Sequence, residues 1–425
     1  MSDTTKAGLR VPALAPFRVR SFRFQWPADL ATSWAFEMET LILGWYVLVE
    51  TQSVLMLTVF ASLLYIGTLL APMFGVMGDR IGHRNLLCAM RGLYATQATI
   101  LMAVAFLGMV TPAIVLVITA VMGLVRPSDI GMRAALVAET MPTDRLVGAM
   151  SIQRTTQDSA RIAGALTGAG LVAVLGMGPA YIVVVTFYAT SVLLTFKAVN
   201  SRPLHHAARD VADASPRPSP WRDLREGFVY VWNTPHLLGA MCFAFLLNLT
   251  AFPLFTGLLP YVAKEVYSSD QTTLGYMVAG ASFGALLGSM VLSRIGHAVR
   301  PARMGLVFGA GWYALLIVFA HTPHPVAGIA VLIVTGVVQS LGLIPMSAML
   351  LRHSDVRYRG RVMGMRMLAL YGNLPGLLIS APLIARIGFP MTATLYCGIG
   401  LAFTAVIAIH WRAHLWQRNA PANMR

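Results

Sequence analysis

Glu37 and Glu39 stand near the middle of an otherwise apolar stretch running from 26 to 49. At about 100° per residue on a helix, the two side chains point in roughly opposite directions, so at most one of them faces a central cavity. Glu37 shares its stripe with the small or polar Ser33, Thr40 and Gly44, whereas Glu39 shares a face with Ala35, Leu43 and Tyr46. Glu37 is therefore the expected proton carrier of the two. Desolvation raises the pKa of a carboxyl, which brings its loading and unloading within reach of a physiological proton gradient. The alternative for either glutamate is a static pair with an arginine that holds two helices together.

Arginines are at hand for both roles. Arg126, Asp129 and Arg133 fall in the stretch 113–137, and Arg154, Asp158 and Arg161 in 148–173. Their three- and four-residue spacing lines each set along one helical face. Two readings stay open. In the first, the stripes meet each other and helix 1 in a buried ion-pair network that exchanges partners, with Asp129 and Asp158 joining the glutamates as proton-coupling candidates. In the second, one or two arginines are left to bind an anionic solute, since guanidinium grips carboxylate or phosphate bidentately; Arg126, nearest mid-stretch, is the best placed. The other half of the chain offers Asn248, Gln339, Arg366, Tyr371 and Asn373 in its apolar stretches. A cavity cationic on one side and amide-lined or aromatic on the other would suit an amphiphilic anion.

Chemistry of other kinds finds no support. The chain has no HExxH and no P-loop ending in Lys-Ser or Lys-Thr, so no enzyme is expected and ATP is not the expected energy source. Cys88, Cys242 and Cys397 lie inside apolar stretches at no metal-ligand spacing and read as small buried hydrophobes. The adjacent His205 and His206 have no partners at ligand spacing. No metal and no cofactor are expected.

The elements that position these residues follow from composition. Of 425 residues, 57% are hydrophobic and only 12% charged, and the mean hydropathy is +0.68; a water-soluble surface could not accommodate that mixture. A membrane-spanning helix needs about 20 mostly apolar residues. Twelve such stretches are present, near 26–49, 54–76, 87–109, 113–137, 148–173, 178–199, 236–260, 273–293, 304–321, 326–350, 361–385 and 391–411. The expected fold is an all-α membrane protein, with twelve transmembrane helices in two pseudo-symmetric six-helix halves. Within such helices each ionisable group costs about 2.5–3.5 kcal/mol at the centre, which is why the buried acids and arginines are functional candidates by default.

The net charge of +15 does not indicate nucleic acid, because the bases gather in alternate loops: Lys6 to Arg23 before helix 1, Arg80 and Arg84, Arg145, then the segments around 202–225, 294–303, 352–359 and 412–425. The loops between hold little beyond Lys264 and Arg386. By the positive-inside rule both termini are cytoplasmic. The division expected is a cytoplasmic arm over 1–25, a six-helix half over 26–199, a linker over 200–235, a second half over 236–411 and a tail over 412–425. In the linker, Trp221, Leu224, Phe228 and Val231 recur at helical spacing among charged neighbours, as in an interfacial helix. Arg80-Ile81-Gly82-His83 reappears as Arg294-Ile295-Gly296-His297, an offset of 214 that also carries Arg145 onto Arg359. Both pairs fall at matching places in the two halves, which points to duplication around a midplane site.

In the loop after helix 2, Gly75, Asp79, Arg80, Gly82, His83 and Arg84 carry the pattern of the signature loop of the major facilitator superfamily, and the chain resembles that family over nearly its whole length. Trp45 to Leu48 before Thr51, Arg225-Glu226-Gly227, Leu274-Gly275-Tyr276, Gly284 to Gly288 and Arg359 to Gly364 are similar to the branch of macrolide and siderophore exporters. The resemblance implies proton-antiport efflux of a drug or siderophore by rocking of two halves. It implies that Asp79 lies near the start of helix 11 as a cytoplasmic latch, with Arg80 and Arg84 on neighbouring acids or headgroups. His83 stands where the pattern has a base, and Gly164-Ala165 where the exporters have Gly-Pro.

The combined expectation is a secondary active transporter of the bacterial-type inner membrane that exports an amphiphilic small molecule: a siderophore, an organic anion or a drug. Its expected partners are that substrate, protons and the lipid bilayer; it is expected to act as a monomer, without nucleic acid. The alternatives are an importer or lipid-like solute carrier of the same fold and, in another class, a non-transporting membrane sensor or assembly partner.

Overall fold

The computed structural model describes residues 15–198, 220–295, 301–352, 362, 366 and 368–412. Helices dominate. In chain order they are α1 (Arg20–Thr51), α2 (Val54–Leu63), α3 (Ala71–Ile81), α4 (His83–Phe106), α5 (Pro112–Thr140), α6 (Thr143–Leu175), α7 (Met177–Lys197), α8 (Pro220–Trp232), α9 (Pro235–Thr250), α10 (Gln271–Ile295), α11 (Pro301–Ala320), α12 (Pro325–Arg352) and α13 (Asn373–His410). Nine helical segments among the described residues are long and apolar enough to cross a membrane. One of them, Ala369–His410, holds two spans, because Gly388 adopts φ 76° and breaks α13. The charged α1 and the divided pair α2 and α3 complete twelve spans, in two six-helix halves.

Several boundaries differ from those read in the sequence. Span 2 continues past 76 to Ile81, and its middle tightens into the 3-10 turn Ile66–Leu70. Span 7 does not stop at 260. Pro253 and Pro260 each lack an N–H, and the chain proceeds through wide π turns at Pro253–Gly257 and Val262–Val266. Cys88 and Cys397 are buried, but Cys242 is exposed. Its neighbours Met241 and Phe243 take the core-facing positions of α9, so Cys242 falls on the outer face, which in a bilayer is as apolar as the interior. In α8, Val231 is buried while Phe228 and Trp232 stack at 5.6 Å on the exposed side. The remaining linker, 199–219, lies outside the described residues.

Each half has its own apolar core. The first packs Leu43, Leu87, Tyr94, Tyr181 and Tyr188; the second packs Phe243, Trp312, Tyr313 and Phe319. Trp312 is held edge-on by Phe252 and Phe255 at 5.1 and 5.5 Å, contacts worth about 0.5–1.5 kcal/mol beyond area burial.

The halves meet at the face away from the termini. Gly275 at the start of α10 packs on Ala165 and Ala169 of α6, and Leu377 of α13 joins the first half's core. Lys264 donates to the Leu48 carbonyl at 3.3 Å and to Oε1 of Gln52 at 2.8 Å, so a base of the second half caps the C-terminus of α1. At the terminus-bearing end, Met150 and Arg154 of α6 are exposed.

Candidate functional site

The site is a cavity of about 320 Å³ between the halves. Its first-half wall is built by α1, α2, α5 and α6 and carries Glu37, Thr40, Arg126 and Arg161. The opposite wall is mainly apolar, with Phe255, Leu274, Val278 and Leu377, and its polar groups are Thr256, Ser282 and Gln339. Tyr65, at the junction of α2 with the 3-10 turn, closes one side.

Glu37 reaches this cavity because α1 and α6 touch. A Cβ on Gly164 would lie 2.8 Å from the Glu37 Cβ and 3.0 Å from the Trp34 carbonyl, so only glycine permits this approach. Two hydrogen bonds fix the register of α1 on α6: Trp26 to Thr156 at 2.8 Å and Trp34 to Thr167 at 2.9 Å. One carboxylate oxygen of Glu37 then faces two guanidinia, Arg126 Nη2 at 3.5 Å and Arg161 Nε at 3.6 Å. The Arg126 guanidinium lies over the Phe36 ring, a favourable cation–π placement. Both contacts are long for charge-assisted hydrogen bonds, which run at about 2.7–2.9 Å, and all three side chains keep access to the cavity at 18%, 26% and 45% exposure for Glu37, Arg126 and Arg161.

A second charged cluster lies deeper in the first half and is paired tightly. Arg133 pairs with Asp129 one turn away, donates to Ser33 at 2.7 Å and stands 3.9 Å from Asp29. Arg91 pairs with Asp29 and donates to Thr195, with Asp129 3.9 Å from its Nε. Gln153 donates to the other oxygen of Asp29 at 3.0 Å. The sequence reading missed Asp29 and Arg91, although both sit in the apolar stretches of helices 1 and 3; the rule that singled out Glu37 covers them too. Asp158 takes a third position, paired with the exposed Arg154 at 3.4 Å. A void of about 70 Å³, lined by Ser33, Glu37, Asp129, Arg133 and Gln157, joins the two clusters.

Glu39 points the other way. It is buried against α7, where the Tyr188 hydroxyl donates to it at 2.9 Å. In the second half, Asn373 donates to Asn248 at 3.0 Å, a buried tie between α13 and α9 away from the cavity, while Gln339 lines the cavity itself. Arg366 is half-buried on a short described piece before α13.

The signature-loop residues are partly placed. Gly82, at φ 89°, turns the chain between α3 and α4, Gly75 has open space beside it, and Arg80 is exposed. His83 Nδ1 meets Glu139 at the end of α5 at 2.6 Å, and Arg84 donates to the Ala198 carbonyl at 3.3 Å. The Asp79 side chain and the start of helix 11, which that residue was expected to approach, lie outside the described residues.

Residues 30–378 match the model of the Major Facilitator Superfamily. The chain belongs to that superfamily. It is a multi-pass membrane transporter for small solutes and not an enzyme. Solved structures with this fold include a bacterial homolog of the human lysosomal transporter Spinster, at 12% identity and TM-score 0.70 over 95% of this chain and 99% of that one. The D-xylose-proton symporter aligns at 10% identity and TM-score 0.67 over 91% and 96%, and the nucleoside transporter NupG at 14% and 0.67 over 94% and 100%. Among curated proteins, the Enterobactin exporter EntS of Escherichia coli O1:K1 / APEC is 24% identical over 197 residues, 46% of each chain. The chain thus spans about half the length of the curated relatives it matches.

Proposed function

We propose that this carrier exports an amphiphilic small molecule from the bacterial cytoplasm across the inner membrane in exchange for protons, by alternating access. The observation that carries the proposal is Glu37, loosely held between Arg126 and Arg161 at the wall of the cavity between the halves. Coupling needs a carboxyl that can pass between a charged, ion-paired state and a neutral one, and intramembrane acids facing a cavity fill that role. Of the four acids read as coupling candidates, Glu37 alone lines the central cavity among the described residues. Asp129 pairs with Arg133 within the deeper cluster, Asp158 stands by the exposed Arg154 and not at the cavity wall, and Glu39 packs away from the cavity.

Loop arginines support a cytoplasmic position for both termini, which makes the arrangement described here the inward-facing one. Export is supported by the likeness to the enterobactin exporter. The exchange is tested in proteoliposomes of defined orientation with an imposed pH gradient, using a panel of organic anions, siderophores and lipophilic cations. Accumulation in inside-out vesicles that requires an acidic lumen and is lost in Glu37→Gln is the expected result. Accumulation confined to right-side-out vesicles would make the protein an importer, and flux indifferent to the gradient would remove the coupling.

A further inference from the structure

The two halves repeat one another, and two glycines show which residues are equivalent. On Gly164 of α6 an added Cβ would run into the Trp34 carbonyl of α1, and on Gly376 of α13 it would run into the Leu249 carbonyl of α9. Each glycine thus seats its helix on the first helix of its own half, at an offset of 376 − 164 = 212. Arg154 and Arg366 stand ten residues before these glycines, at the same offset of 366 − 154 = 212. They are therefore a pair related by the axis between the halves. Ten residues of helix at about 1.5 Å each place both about 15 Å toward the terminus-bearing end.

The pair is short of acid. Arg154 is exposed and stands 3.4 Å from Asp158. The position equivalent to Asp158 is Leu370 (158 + 212 = 370), so Arg366 has no matching carboxylate. Arg366 is half-buried and makes no hydrogen bond or ion pair among the described residues; the charge that acts on it there is the like charge of Arg154, in the other half. A half-buried guanidinium without a partner costs free energy that an apolar side chain would not. Two guanidinia against one carboxylate leave a surplus positive charge and unused N–H donors at the open end.

We infer that Arg154 and Arg366 form an anion site at the cytoplasmic mouth, where a carboxylate, sulfonate or phosphate of the cargo lies between the two guanidinia and lets the mouth close over it. Closing that end brings an axis-related pair together. In the empty carrier two like charges oppose the movement, whereas an anion between them gives each guanidinium a charge-assisted partner. Cargo is thereby required for the outward step. The return step opens the mouth and separates the arginines, so it needs nothing at this site and is left to the proton on Glu37. Cargo and proton act on opposite half-cycles and travel in opposite directions, as exchange demands. Arg161 lies seven residues (161 − 154 = 7) further along α6, about 10 Å deeper, so Glu37 keeps both of its arginines while the cargo is held. This inference rests on the inward-facing exporter reading above and deepens it by naming the cargo class and the point of capture.

The test reads closure of the mouth at a single pH. Met150, one turn before Arg154, is exposed and lines the same recess. The full chain carrying Met150→Cys and Cys242→Ser is placed in phosphatidylcholine nanodiscs, and its rate of reaction with a bulky hydrophilic maleimide is measured. Biphenyl-4-sulfonate should slow that rate about fivefold or more, whereas neutral 4-biphenylmethanol and inorganic sulfate should not. Arg154→Gln and Arg366→Gln should each lose the response to the sulfonate, and Arg366→Lys should retain it. Arg366→Glu, which sets opposite charges across the mouth, should slow the labelling about fivefold with no probe added; misfolding would raise the rate instead. The inference is overturned if the sulfonate leaves the rate unchanged, or if the neutral isostere or sulfate alone slows it equally. It also falls if Arg366→Glu labels as fast as the parent chain, or if phosphatidylglycerol in the nanodisc slows labelling without a probe, which would assign the arginines to lipid headgroups. Gradient-driven flux in proteoliposomes beside labelling indifferent to the sulfonate keeps the exchange reading and removes this site. Protection by the sulfonate beside flux that ignores the gradient does the reverse.

Discussion

Arg91 is the best place to test whether the deep cluster is a structural joint. Its side chain is 0% exposed and ties four helices: α4, which carries it, α1 through Asp29, α5 through Asp129 and α7 through Thr195. With Arg133 it balances two buried aspartates. Arg91→Met keeps the length and much of the volume but leaves Asp29 and Asp129 sharing Arg133, with one buried negative charge uncompensated. Breaking a buried pair from one side costs about 3–5 kcal/mol. For a unit the size of one half, about 2–4 °C of melting temperature follow each kcal/mol, so the drop is on the order of 10 °C. Thermal unfolding of the detergent-purified protein measures it, and the double variant Arg91→Met with Asp29→Asn should recover about 0.5–3 kcal/mol of the loss by removing the orphaned charge. A single variant that melts within about 2 °C of wild type, less than 1 kcal/mol on that scale, would refute the claim that these pairs carry the first half's packing.

Three further outcomes follow from named contacts. Gly164→Val should destabilise by about 1–3 kcal/mol through overpacking, because the new side chain collides with Glu37 and the Trp34 carbonyl of α1; a thermal melt checks it. Lys264→Met removes a cap from α1 that crosses between halves. A cysteine at Thr256, in a chain lacking Cys242, should then react about fivefold faster with an impermeant maleimide added at the face where α1 ends, matching about 1 kcal/mol for a lost hydrogen bond; an unchanged rate discards the latch. Asp270, just outside the membrane, caps α10 by accepting from the Thr273 backbone N–H at 3.0 Å, and that bond holds its carboxyl below the ordinary aspartate value. Asp270→Ala should cost about 1 kcal/mol near neutral pH. Because the folded value is depressed, the contribution is present above the ordinary value near 3.9 and is lost as pH falls through the folded one, so the gap to wild type should narrow below about pH 4.

Periodicity and charge made most of this architecture readable, since a run of about 20 apolar residues has few uses outside a membrane. The opposed directions of Glu37 and Glu39 follow from two residues of spacing, and the structure does place them on opposite sides of α1. What could not be read is pairing across helices. That Arg126 and Arg161 converge on one oxygen depends on the depth at which α5 and α6 sit beside α1, which Gly164 and two tryptophan hydrogen bonds set. Asp29 was overlooked because it lies only three residues into the apolar stretch assigned to helix 1, where a charge is easily taken for an interfacial one. In the structure α1 starts at Arg20, which puts Asp29 more than two turns inside. The wide turns of span 7 arise where Pro253 and Pro260 interrupt the ladder, and they carry the span on to Val266, past the 260 read from the sequence.

The distribution of charge bears on how the halves can move. The ion pairs around the cavity join α1, α4, α5 and α6, all in the first half, while the second half meets them with Thr256, Ser282, Gln339 and apolar side chains. Rocking one half against the other then slides a wall whose described cavity-lining residues are uncharged past a charged one, and the cavity's ion pairs need not be broken across the cleft. Had Glu37 paired with an arginine of the second half, each cycle would have had to expose two buried charges at about 3–5 kcal/mol. The polar tie described at the sealed face is instead Lys264 on the end of α1, a pair of hydrogen bonds at a partly solvated site. A tie of about 1 kcal/mol per bond keeps the two arrangements within the few kcal/mol that differential binding of a cargo can shift.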